Sequence, residues 1–168
     1  LKTMVYTVSV DEQAFVMRFG RIVEPDRTAG PGLHWKLPWP IDRVERFQTG
    51  RIFSLAVGNA ADFDNPMIWR AEHGDTKTFI SGDNNLFLPY LTIHYRIRNP
   101  RHYYLHYRNG SADMLIEYQA YHTLSQTFAQ KDYFDIALIE RRQWTSEAER
   151  HLQEKLDSMN AGIEIVAF

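Results

Sequence analysis

The sequence contains no cysteine. Disulfides, zinc–thiolate centres and cysteine nucleophiles are thereby excluded. The compartment stays open, because a disulfide-free domain works on either side of a membrane. No window approaches ~18 consecutive apolar residues, so the chain carries no transmembrane helix, and no signal-peptide pattern is present. An excess of one charge is also missing. The 19 basic residues stand against 21 acidic ones, for a net charge of −2, and nothing points to nucleic acid as a partner. The phrases of common enzymes are absent too: there is no G-x-S-x-G, Walker loop, H-E-x-x-H or dinucleotide fingerprint. The expectation is a protein that is not an enzyme and holds no cofactor.

What is present is ample apolar material. In 168 residues, 44% are hydrophobic and 14% aromatic, enough for a core with surface left over for an interface. The chain begins Leu1-Lys2-Thr3 rather than at a methionine, and Phe168 lies in a strand-like run. Both ends read as cut, which leaves room for a membrane anchor in the flanks.

The first half has the period of β-structure. Val5–Val10 and Ala14–Val23 are β-type runs around the polar break Asp11-Glu12-Gln13, which predicts a hairpin. Phe15, Met17 and Phe19 are expected on one face. Glu24–Gly32 is rich in turn residues, and Leu33–Pro40 continues it as a Pro-braced loop. Ile41–Phe47, Arg51–Val57 and Leu86–Ile97 read as strands, with Pro89 marking an edge or bulge in the last. Residues 58–85 are polar and irregular around the apolar island Pro66–Trp69, an excursion over the surface.

The second half turns helical. Asn99-Pro100 opens a short helix, with proline where its missing donor costs nothing. Ser111 is a candidate cap for a longer helix carrying Leu115, Ile116, Tyr118, Tyr121, His122, Leu124 and Phe128. A third helix runs from about Glu140 to Asn160, with Trp144, Ala148, Leu152, Leu156 and Met159 as its apolar stripe. Asn160-Ala161-Gly162 stops it, and Ile163–Phe168 is a final strand. Strands, then helices, then a strand make an α+β pattern.

Several stretches, in order, resemble one family. Asp11–Gly20 resembles its early "GEQGVVLRFG" phrase, and Gly30–Ile41 its "GPGLHWKLPWPI" loop. Ser81–Asn85 with Thr92–Ile97 resembles "TGDxN…VQYRI". Asn99-Pro100 with Tyr104-Leu105 resembles "NPxxYL", and Ala161–Ile165 a "GIxV" strand. The family is SPFH or band 7: stomatins, prohibitins, flotillins and the HflK/HflC protease modulators. The tryptophan-rich loop and the "GDNN" phrase look most like the HflK branch. The resemblance implies an antiparallel β-rich first half followed by helices packed on a sheet and a final strand. It divides the chain into a membrane-proximal subdomain over residues 1–80, with an irregular insertion, and an α/β subdomain over 81–168. It also implies a bacterial inner-membrane setting, an upstream anchor and a downstream coiled coil. It implies a scaffold that oligomerises and either modulates a membrane protease or organises membrane microdomains, with membrane lipids, identical or paralogous subunits, and an FtsH-type membrane protease as its partners. Residues 58–81 are longer than in simpler members, and Pro89 replaces a β-forming residue.

The best functional candidate is the loop Leu33–Pro40. Tryptophan favours the membrane–water interface. Leu33, Trp35, Leu37 and Trp39 are expected to dip among headgroups, with Lys36 meeting lipid phosphate. The alternative is that both tryptophans pack inward beneath the sheet. In the third helix, Glu140, Arg141, Arg142, Glu147 and Arg150 form a charged face opposite the apolar stripe, usually solvated. In a ring, those charges would pair with a neighbouring subunit and set register. His102 and His106 share a helix face, but a zinc site needs a third ligand and none is evident at useful spacing. Asp62, Asp64, Asp75 and Asp83 lack the ordered ligand run of a calcium loop. The rival readings are a soluble interaction adaptor without membrane contact, and a hydrolase hidden in the Asp- and His-bearing loops.

Overall fold

The computed structural model describes residues 4–23, 28–58, 78–107, 112–139 and 141–168. In chain order these form β1 (Val5–Val8), β2 (Glu12–Arg18), β3 (Arg21–Ile22), β4 (Gly32–Trp35), β5 (Asp42–Gln48), β6 (Phe53–Gly58), β7 (Phe79–Ile80), β8 (Leu86–Phe87) and β9 (Tyr90–Ile97). Then come α1 (Pro100–Tyr107), α2 (Ala112–Phe128), a π-helical segment Asp135–Ile139, α3 (Arg141–Ser158) and β10 (Ile163–Ala167). The fold is α+β, with an antiparallel strand-rich first half, helices, and a last strand, as the residue patterns predict. Ser111, Asp62, Asp64, Asp75 and the Pro66–Trp69 island lie outside the described residues.

The sheets run β1-β4, β3-β2-β5, β10-β9-β6 and β7-β8. The expected hairpin between the first two β-runs is not formed, because β1 pairs with β4 instead. After β1 the chain makes only a local turn, Glu12 N donating to Ser9 O at 3.2 Å. β2 then finds its long partner in β5, antiparallel from Glu12↔Gln48 to Arg18↔Asp42. Phe19 is a second correction. Phe15 and Met17 are buried, but β2 ends at Arg18 and Phe19 is 77% exposed. Phe19 (φ 48°) and Gly20 (φ 82°) make the tight turn into β3, a conformation suited to hairpin turns. A third correction concerns Leu33–Pro40, whose first residues are strand rather than loop. The run Leu86–Ile97 is broken at Leu88-Pro89, where proline has no amide to donate.

The chain divides into two compact units. The first comprises Leu1–Phe53, Arg96–Gly110 and Asp157–Glu164. Here Tyr6 and Val8 of β1 pack with Ala14 of β2, and Val16, Ala29 and Val44 close around them. The opposite face of β2–β5 carries Phe15 and Phe47, stacked at 5.4 Å, with Tyr104 edge-on at 5.3 Å from Phe15. Tyr104 arrives on α1, whose start follows the expected pattern. Asn99 Oδ1 accepts from the amides of Arg101 (3.1 Å) and His102 (3.2 Å), and Pro100 is the first helical residue. Asn99→Ala is expected to cost about 1 kcal/mol, the usual loss of an N-cap, read as a lower urea midpoint with an unchanged slope.

The second unit comprises Ser54–Tyr95, Ser111–Leu156 and Ile165–Phe168. Ile116, Ala120, Leu124 and Phe128 of α2 are fully buried, and so are Ala148, Leu152 and Leu156 of α3. Each set recurs every fourth residue, so one helical stripe faces inward. Phe128 is the hub, with Trp144 at 5.0 Å, Phe87 at 5.2 Å and Phe79 at 5.4 Å. Burial of such a side chain contributes about 2–3 kcal/mol. Trp144 Nε1 donates to Ile136 O at 2.9 Å, a carbonyl of the π-helical segment. Met159, expected in the α3 stripe, is exposed, and so are Tyr118 and His122 of α2. Tyr118 and His122 lie on the solvent side of α2, and Met159 follows the end of α3 at Ser158.

Candidate functional site

The tryptophan segment is held at every step. Ala29 bridges to Ala14 through reciprocal amide–carbonyl bonds of 2.7 and 3.0 Å. His34 Nε2 lies 2.8 Å from Gly30 O, and its ring stacks on Tyr6 at 5.3 Å. The register of β4 on β1 sets Tyr6 opposite His34, Val5 opposite Trp35 and Thr7 opposite Leu33. Because side chains alternate along a strand, packing His34 against Tyr6 turns Leu33 and Trp35 outward. Past the strand, Lys36 N donates to Met4 O at 2.8 Å, and Ile41 N to Pro38 O at 3.0 Å. The Trp39–Pro40 peptide bond within that turn is cis.

Asp42, at the head of β5, ties the segment down. It is 1% exposed. Arg18 Nε and Nη2 donate to its two oxygens at 2.8 and 3.1 Å, and Leu37 N donates to Oδ2 at 2.8 Å. The Arg18 hydrogen bonds, assisted by the Leu37 amide and the charges of Arg18 and Lys36, hold the Asp42 carboxyl below the usual carboxylate range against desolvation that pushes it up.

The result is an apolar rim at one end of the first unit. Leu33 is 66% exposed, Trp35 74% and Trp39 76%, with Leu37 also exposed and Lys36 half-buried. Inward packing of the two tryptophans is therefore not what the fold adopts. The amide of Phe19, whose side chain is also exposed, donates to Ile41 O at 3.2 Å. Phe19 continues the Phe15-Met17 alternation, so the pattern alone sets all three on one face. The signal that it turns outward was Gly20, which marks the turn.

The other candidates are dispersed. Glu140 lies outside the described residues. Arg141 and Arg142 are exposed and Glu147 is half-buried. Arg150 pairs with Glu154 of its own helix at 2.6 Å. His106 Nδ1 sits 2.9 Å from His102 O, an ordinary helix-surface contact. Among the described residues, the hydrogen bonds of His34, His94 and His151 go to a carbonyl, the Ser54 hydroxyl and the Arg150 guanidinium, with no carboxylate among them. Among the described residues no cluster of His, Asp or Glu is arranged to hold a metal ion.

The Ser81–Asn85 phrase has a structural use. Asp83 accepts from the Ser81 hydroxyl, from Asn85 Nδ2 at 2.7 Å and from Tyr133 N at 3.1 Å, and these bonds hold its carboxyl low, the Ser81 bond most. Gly82 N donates to Lys131 O at 2.8 Å. The phrase is a turn pinned to the chain that follows α2.

A family model described as the SPFH domain / Band 7 family matches residues 6–168. No curated protein matches the chain. No helix among the described residues is long and apolar enough to cross a membrane.

Proposed function

The chain belongs to the SPFH domain / Band 7 family, whose members are generally non-catalytic, membrane-associated scaffolds that oligomerise, and on that premise we propose that it meets the bilayer through Leu33, Trp35, Leu37 and Trp39, with Lys36 at the headgroup phosphates. The observation that carries this reading is the exposure of both tryptophans, about three-quarters each, on a segment held rigid from both sides. Monomeric soluble surfaces rarely gather large apolar side chains in one place without a partner. Indole rings at the headgroup level are a favourable one.

Assembly is the second half of the proposal. Arg141, Arg142 and Glu147 on α3 face neighbouring copies, identical or paralogous, and set their register by charge. Arg150, already paired within its helix, joins them as part of a network. The client we favour is a membrane protease of the FtsH type at the bacterial inner membrane. It is supported by the likeness of Gly30–Ile41 and Ser81–Asn85 to the HflK branch. The proposed division of labour puts membrane contact in residues 1–80 and assembly in 81–168.

Co-sedimentation with vesicles containing anionic phospholipid tests the membrane contact. The Trp35→Ala/Trp39→Ala double variant is expected to partition at least about tenfold less than wild type, two interfacial tryptophans being worth more than 1.4 kcal/mol together. Equal and weak pelleting of the two proteins would overturn the reading in favour of a soluble adaptor that presents the same rim to a protein.

A further inference from the structure

Between the two sheets of the first unit, on the tryptophan side of the Tyr6, Val8 and Ala14 cluster, lies a cavity of about 610 Å³. Small-molecule sites commonly enclose about 300–1,000 Å³. Its floor is apolar, built from Ala14 and Val16 of β2 with Tyr6 of β1. Its rim includes Trp35, Lys36 and Arg18. The cavity thus opens beside the same side chains that form the exposed apolar rim.

The charge at this mouth is unbalanced. Asp42 also lines the cavity, but it is 1% exposed and its oxygens are engaged by Arg18 and the Leu37 amide. Arg18, meeting Asp42 with one edge, keeps its side chain 44% exposed. Two cations therefore stand against one shielded carboxylate. An uncharged floor, a positive mouth and an indole at the lip suit a molecule with one long apolar tail and an anionic head. A zwitterionic head would forfeit the excess charge, and a peptide strand would leave its backbone groups unpaired on the apolar floor.

We propose that this cavity receives one acyl chain of an anionic phospholipid, its phosphate meeting Lys36 and the outer edge of Arg18. The proposal rests on the membrane-contact reading and adds to it a captured lipid, held apart from those that merely surround the tryptophans.

The test uses 1-palmitoyl-lysophosphatidylglycerol below its micellar concentration, with the phosphatidylcholine analogue as control, followed by titration calorimetry on the 168-residue chain. Wild type is expected to saturate at one lipid per chain and to prefer the anionic probe by about fivefold, the worth of one lysine beside an anionic headgroup. Val16→Phe, which fills the floor, is expected to weaken binding at least about tenfold while pelleting with phosphatidylglycerol vesicles as wild type does. Lys36→Gln, at a half-buried rim position, is expected to bind both probes with similar affinity, so the idea stays exposed to refutation even if Val16→Phe fails to fold. Absence of saturable binding by wild type, a folded Val16→Phe that binds like wild type, or an undiminished preference in Lys36→Gln would each overturn the captured-lipid proposal. Vesicle pelleting by wild type in any of those cases leaves the membrane contact standing, and its absence removes both.

Discussion

Gly162→Ala is expected to destabilise the chain by roughly 4 kcal/mol, the upper end of single-substitution effects. Gly162 sits at φ 72°, a conformation that penalises any Cβ. The neighbours add a steric penalty. A Cβ there would lie 2.5 Å from Asn99 O and 2.6 Å from Tyr103 N, both of them backbone atoms. Those atoms form a bond to each other, Tyr103 N donating to Asn99 O at 3.0 Å in the first turn of α1. Gly162 O in turn accepts from Arg98 N at 2.9 Å and Asn99 N at 3.0 Å. The added methyl must therefore displace α1 or β10, and neither can give way without losing hydrogen bonds. Urea unfolding with far-ultraviolet circular dichroism reads the effect. A loss under about 1 kcal/mol, the cost of φ alone, would show that the close approach is absent.

Asp42→Ala is expected to cost about 2 kcal/mol, the range for hydrogen bonds to a charged group. The bonds lost are those from the Arg18 guanidinium and the Leu37 amide. The variant also has a pH signature. In the folded state the Asp42 carboxyl titrates below its unfolded value. Between those two values the unfolded chain binds more protons, so stability rises with pH there. The contribution is fully present above the unfolded carboxylate range near pH 4 and is lost as pH falls through the folded value. Thermal unfolding of wild type at descending pH is therefore expected to show an acid limb, and Asp42→Ala a shallower one. Asp83 and Glu164 also contribute, their carboxyls held low by Ser81 and Arg96 respectively before other contributors. Coincident acid limbs in the two proteins would show that the Asp42 pair carries no folding energy.

What was legible in the sequence is what local chemistry decides. Asn99-Pro100 starts a helix because the cap and the missing amide act within three residues. Trp144, Ala148, Leu152 and Leu156 are buried because one helix face follows from spacing alone. The errors share a different cause. Whether β1 pairs with β2 or β4 is settled by partners many residues away, and alternation in one strand does not name its neighbour. Phe19 fits the β2 pattern perfectly well and leaves it only because the strand ends at Arg18. The outward turn of Trp35 depends on His34 finding Tyr6, a contact across strands. Hardest to see was Asp42: an aspartate beginning a strand looks solvent-facing until Arg18, its antiparallel partner, reaches it. So the Gly30–Ile41 phrase was found as a candidate, while the reasons for its rigidity lay elsewhere in the chain.

The central position of β9 bears on how the chain is made. Its one neighbour, β6, is translated earlier, and its other neighbour, β10, comes only after all three α-helices. A nascent chain halted before Gly162 thus carries β9 with an open edge, the state most prone to pair with another molecule. Arrival of β10 buries Ile163 and Ile165 and lets Glu164 take Arg96 in a two-pronged pair of 2.9 and 3.1 Å. Such distant pairing is slow to close. β10 is therefore the strand that closes this sheet, and the edge of β9 stays open until it arrives.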